Sequence, residues 1–248
     1  MKKVFPDMYD RPESRLVVTL CSFWPIVFVL FPILMRIMAL GSYNKPTVLA
    51  WCEIAYNVLI LVGILVFSRV YLHDSFMGVQ LDPKNFFNTV GIASVLILAY
   101  TALSELLMGQ LDILPIHGSS LFVQAAVVVL ANPLWGTLCM TLVCPIASCC
   151  LFYATGFAPM CTRNPVLAYI LGAFVASLPR LLGYLTMAYY ASLLPIILFQ
   201  IPVHLVACWS YQKADTIWAP IATHSIVNLV SSLLICYGRF SGRLFLTF

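Results

Sequence analysis

The sequence predicts an all-α fold, a polytopic transmembrane helix bundle of about seven spans. Three observations carry this. Of 248 residues, 62% are apolar and 9% are charged, whereas an ordinary soluble domain carries about 25% charged residues. Mean hydropathy is +0.98. The apolar residues gather in runs of roughly 20, the length a helix needs to cross the hydrocarbon. So few charges cannot cover a soluble surface of this size, which excludes a cytosolic enzyme and a disordered chain. A net charge of +4, scattered along the chain, forms no phosphate-tracking stripe, so no nucleic acid is expected as a partner.

The elements follow in order. Residues 1–16 are polar and mixed in charge, and they lack a cleavable signal pattern. The first apolar run should therefore stay as a helix behind a cytoplasmic N-terminal segment. Spans are expected at 17–39, 47–69, 88–108, 134–155, 165–186, 189–210 and 216–237, forming a single domain over 17–237 with a short tail at 238–248. The stretch Leu121 to Leu130 ends at Asn132-Pro133 and is too short to span alone. It reads as interfacial or re-entrant, and an eighth span is possible there. Pro25, Pro32, Pro145, Pro179, Pro195 and Pro202 fall inside spans. Kinks are expected there rather than breaks, because neighbouring helices satisfy the freed carbonyls.

Lysine and arginine near helix ends set the orientation. Lys2, Lys3, Arg11, Arg15, Arg69, Lys84, Arg163 and Lys213 share one side if the N-terminus is inside. Lys45, Arg239 and Arg243 lie opposite, with Arg36 near a helix end. This gives an N-in, C-out protein of the cell membrane, with the lipid bilayer as its first partner. Of nine cysteines, only Cys161 falls in a polar loop. The others lie in apolar runs, where cysteine acts as a small buried hydrophobe. No Cys-x-x-Cys pair points to a metal or disulfide framework, and no cofactor is expected.

Ionisable groups at membrane depth are costly, so each needs a reason. Arg36, Glu53, Glu105 and Arg180 fall together in the outer half. Two cations and two carboxylates at one level can neutralise each other as a structural clamp or line a polar pathway. His204 and His224 form a second layer, nine residues before and eleven after Lys213. Both lie about 14–17 Å along their helices from the turn between them, placed to face each other across an antiparallel pair.

The most informative stretch is Lys213 to Leu229, KADTIWAPIATHSIVNL. Asp215 or Thr216 can cap the helix that follows, and Pro220 is tolerated in its first turn. His224 and Asn228 are four apart and share a face, where they can hold a water or a carbonyl between them. Thr216, Ile217, Trp218, Ala219, Pro220, Ile221, His224 and Asn228 resemble the last motif of the CAAX-protease and bacteriocin-processing family of intramembrane proteases. The resemblance covers about fifteen residues, and the order of spans before them, from about 119 to 237, also agrees. In that family a Glu-Glu-x-x-x-Arg motif follows a proline lead. The lead is present as Cys144-Pro145-Ile146-Ala147, but Ser148 and Cys149 stand in place of the glutamates and Tyr153 in place of the arginine. The family's Phe-x-x-x-His motif keeps Phe174, and Leu178 replaces the histidine.

The resemblance implies a site in which a glutamate and histidines activate water against a peptide carbonyl. Here no carboxylate remains at the expected position, and Ser148 cannot act as a base unaided. Glu53 and Glu105 sit on the far side of the membrane. The expectation is a degenerate member that binds a membrane peptide or protein as a scaffold, immunity or regulatory factor. An active endopeptidase with a rearranged site is the alternative, with His204 supplying an imidazole or Cys149 paired to His224 as a nucleophile. A small transporter component is a further alternative. Two histidines and an amide make a poor metal site.

Overall fold

A computed structural model describes residues 46–111, 128–161, 164–186 and 193–240. They are helical almost throughout, with no strand among the described residues. Helix α1 spans Pro46–Phe67 and α2 spans Arg69–Leu81. The chain bends by 85° between them, at Ser68. Helix α3 runs over Pro83–Leu111. A long helical run over 133–161, α4, contains two π-helical segments, Cys139–Val143 and Cys150–Phe157. Helices α5, α6 and α7 cover Pro165–Thr186, Leu193–Ala214 and Trp218–Phe240.

Three of these helices begin with the same local chemistry. Asp82-Pro83, Asn132-Pro133 and Asn164-Pro165 each place a side-chain oxygen before a proline. Each oxygen accepts the amide three residues on, from Asn85 (3.1 Å), Trp135 (3.3 Å) and Leu167 (3.1 Å). The proline loses nothing, since its missing N–H would have no helical partner at that position.

The stretches Pro83–Ser104, Pro133–Ala154 and Trp218–Tyr237 are long and apolar enough to cross a membrane. The bent pair α1–α2 makes a fourth if counted as one span. The described helices cover the ranges expected to be helical, with ends that differ by up to about six residues. One expectation is corrected. The segment 70–87, read as a loop, is α2 followed by the first turn of α3. Its helical signal is the spacing of Leu72, Ser75 and Val79, which face the protein, and a search for apolar run length passes over it. The expected first span at 17–39 with Arg36, residues 1–16, most of Leu121 to Leu130 and residues 241–248 lie outside the described residues.

The helices alternate in direction. Tyr169 at the start of α5 donates to Gln212 near the end of α6 (2.6 Å), and Asn85 at the start of α3 donates to the Lys213 carbonyl (3.0 Å). One end of the bundle therefore gathers α2 with the turns before α3, α5 and α7. The core lies between α4, α5, α6 and the start of α7, around Tyr153, Phe157, Ala168, Tyr211 and Ile217. Cys149, Cys150 and Cys208 are buried within it. Gly172 lets α5 close against its neighbours: a Cβ there would meet the Phe157 side chain at 3.1 Å and Cys208 Sγ at 3.3 Å.

Candidate functional site

The site is built on the first three turns of α7, so its anchoring comes first. Asp215 turns the chain with φ 56, a left-handed conformation that aspartate tolerates better than most residues. Thr216 follows, almost wholly buried against Ser75 of α2. Its hydroxyl donates to the Ser75 carbonyl (2.8 Å) and lies 2.9 Å from the Ser75 hydroxyl. Ser75 Oγ accepts the Ile217 amide (3.0 Å), and the Trp218 indole donates to the Leu72 carbonyl (3.0 Å). Thr216 Oγ1 also accepts the Trp218 amide (3.3 Å), so Thr216 fills the capping role expected of Asp215 or Thr216. Ala219 packs on Phe86 and Val90 of α3. Thr216 to Ala219 thus form a seat that fixes α7 against α2 and α3.

The second part is set by the π turns of α4. In a regular helix the Met140 carbonyl would accept the amide of Cys144. That amide bonds instead to Cys139 O, one residue further back. In the wider π register the next donor for Met140 would be residue 145. Residue 145 is proline and has no N–H. The Met140 carbonyl is left without a helical partner in a buried position, and Asn228 of α7 supplies one: its Nδ2 donates at 2.7 Å. Proline in α4 and asparagine in α7 are thereby two halves of one local solution. Ser148 behaves similarly within its own turn, donating to the Cys144 carbonyl at 2.7 Å.

The third part is a cluster of three rings. Tyr153, in the second π segment, has 1% of its surface exposed. Its hydroxyl lies 2.6 Å from His204 Nδ1 and 3.3 Å from His224 Nε2. Ring centroids are 6.2 Å apart for Tyr153–His204 and Tyr153–His224, and 6.1 Å for His204–His224. Tyr153 and His224 are nearly parallel, at 5°. A phenol has one proton, so it donates to one imidazole and accepts from the other. The two nitrogens that face the centre are both engaged with the phenol.

The structure brings His204 and His224 to one level on adjacent helices, at the depth expected from their distances to the turn. Asn228 lies one turn further along α7 and faces Met140. Tyr153 was expected only as the position of a lost arginine, and it is the centre of the cluster. A depth count finds it: Tyr153 lies eleven residues before the turn at Asn164, level with both histidines. Cys149 is fully buried in the apolar core, and among the described residues it makes no hydrogen bond to either imidazole. Phe174 is 42% exposed on α5. Glu53, Glu105 and Arg180 lie on α1, α3 and α5 in the halves away from α2. Their side chains, and that of Leu178, fall outside the described residues. Among the described residues no group of three histidine, cysteine or acidic side chains is placed to hold a metal ion.

No protein-family model, curated protein or solved structure matches the chain.

Proposed function

We propose that this is a multi-pass membrane protein on the plan of the CAAX-protease and bacteriocin-processing family that no longer hydrolyses peptides. In this reading it binds a membrane peptide or protein as a scaffold, immunity or regulatory factor. The observation that carries the reading is the Tyr153 hydroxyl between His204 Nδ1 and His224 Nε2. A general base must offer a lone pair to water. Here the inward nitrogens are held by a phenol, a far weaker base than a carboxylate at neutral pH. Asn228, which in such a site would help to hold a water or an oxyanion, spends one of its two amide N–H groups on a backbone carbonyl.

Seven spans with a cytoplasmic N-terminus in the cell membrane complete the proposal. Its support is the exposed basic end formed by Arg69, Lys84 and Lys213, the bias that marks cytoplasmic loops. The test is cleavage of prenylated and leader-type peptides by the purified protein, beside an active protease of that family. Wild type should give no product above the His224→Ala variant. Cleavage by wild type that disappears in His224→Ala would overturn the reading and turn attention to Cys149 and His204 as reacting groups.

A further inference from the structure

Helix α2 has three sides rather than two. Leu72 and Ser75 are buried, with Val79 packed beside them, and this side carries the hydrogen bonds to Thr216, Ile217 and Trp218. At about 100° per residue, Arg69, His73 and Gln80 fall on a second stripe, and all three are exposed. Val70, Met77 and Leu81, seven and four residues apart, fall on a third. Val70 is half-buried, Met77 is 44% exposed and Leu81 is 85% exposed. A helix lying between protein and water needs only a buried side and a polar side. The third stripe is apolar and points away from the protein, although the helix is firmly held in place.

The setting says what covers that stripe. Thirteen residues rise about 20 Å, short of the roughly 30 Å hydrocarbon, and Arg69, His73 and Asp74 make α2 too polar to span. The 85° bend at Ser68 turns it away from the direction of α1. Leu65 and Val66, just before the bend, and Phe87, just after the next turn, are 49%, 60% and 68% exposed. They add exposed apolar surface on α1 and α3 close in sequence to the two ends of α2. Arg69 and Lys84 lie exposed at its two ends, where cations reach headgroup phosphates.

We propose that α2 lies along the membrane–water boundary as an interfacial helix, with Val70, Met77 and Leu81 among lipid chains and Arg69, His73 and Gln80 among headgroups and water. Such helices sink their apolar side about 5–10 Å into the headgroup–acyl boundary. The partner is the bilayer surface itself, and the proposal stands apart from the question of catalysis. Because α2 carries the seat of α7, the bilayer surface then fixes the level at which the seat of α7 stands.

The test adds one tryptophan at a time, as His73→Trp, Met77→Trp and Leu81→Trp, to the full chain in phosphatidylcholine vesicles. The emission of the five native tryptophans, read from wild type, is subtracted. The added emission at 77 and 81 should be lost with lipids brominated near the headgroup end of the chain and resist aqueous iodide. That at 73 should be lost to iodide and resist the brominated lipids. Leu81 is so exposed that a larger ring leaves the packing of α2 intact, which keeps a second reading should Met77→Trp misfold. Equal iodide quenching at all three positions would place α2 in water and overturn the proposal. Loss at all three to bromines deep in the chain would make α2 a re-entrant segment and overturn it equally.

Discussion

Replacing Asn228 by alanine should expose the consequence of Pro145. The Met140 carbonyl has no donor from its own helix: the Cys144 amide is taken by Cys139, and residue 145 has none to give. Asn228 Nδ2 at 2.7 Å fills the gap. Removing it leaves a buried carbonyl unsatisfied, which costs about 1–3 kcal/mol. Interhelical hydrogen bonds in membranes average only about 0.6 kcal/mol, with a maximum near 1.7, because the unfolded chain finds other partners. Orphaning the acceptor adds to that, so a loss of about 2 kcal/mol is expected, or roughly 30-fold in the unfolding equilibrium.

The informative step is the double variant. Pro145→Ala restores an N–H at the position from which a π turn would reach Met140, and it removes the ring that disfavours the regular register. Asn228→Ala should therefore cost far less in the Pro145→Ala background than in wild type. A coupling of about 1–2 kcal/mol lies within the range for groups sharing one network. Reversible unfolding in mixed micelles, followed by tryptophan fluorescence on all four members of the cycle, measures it. Losses that add to within about 0.5 kcal/mol would refute the link between the proline and the asparagine.

Further expectations follow from single contacts. Tyr153→Phe removes the hydroxyl between the two imidazoles; it should cost about 1 kcal/mol and shift the ring-nitrogen NMR signals of both His204 and His224, whereas a change confined to one histidine would break the bridge reading. Ser75→Ala and Thr216→Val each loosen the seat of α7 by about 1 kcal/mol, and the double variant should lose clearly less than the sum, since one network is being removed twice. Gly136→Ala should destabilise by about 1–3 kcal/mol, because a Cβ there would stand 2.4 Å from the Val128 carbonyl oxygen, a backbone atom. Gly91→Ala, which meets nothing within 4 Å, should be neutral or stabilising by up to about 1 kcal/mol; equal losses at the two glycines in the same unfolding assay would contradict the packing.

The helices that are legible in the sequence are those whose signal is run length. Ranges such as 165–186 and 134–155 match because about 20 apolar residues between polar turns leave little freedom. Helix α2 was missed because its pattern mixes Arg69, His73 and Asp74 with an apolar stripe, and only the buried spacing of Leu72, Ser75 and Val79 reveals it. Equal depth of His204 and His224 was legible from arithmetic on the turn between α6 and α7. Tyr153 was assigned a negative meaning, as an arginine that had gone, because a motif comparison asks what is absent. Asking which polar side chains share a depth would have found it. The bond from Asn228 to Met140 was beyond sequence reading, since it depends on a π register that no spacing rule announces.

This last contact bears on how the Thr216 to Asn228 stretch is to be read. Its resemblance to a protease motif points at first to chemistry. Yet most of its residues have a mechanical role that needs none. Thr216, Ile217 and Trp218 bond to Ser75 and Leu72, Ala219 closes against α3, and Asn228 completes the hydrogen bonding of a proline-interrupted helix. In a low-dielectric interior these are not optional, because an unpaired buried carbonyl or hydroxyl costs as much as a typical core substitution. Stability alone is therefore enough to account for these residues, whatever chemistry the site does or does not perform. His224 differs: its inward nitrogen meets a side chain, not the backbone, and that side chain is the tyrosine standing where the resemblance would put an arginine. A phenol can donate to one imidazole and accept from the other, where a guanidinium, with donors only, would force both to accept. Tyr153 thereby ties α4 to α6 and α7 through two side-chain contacts.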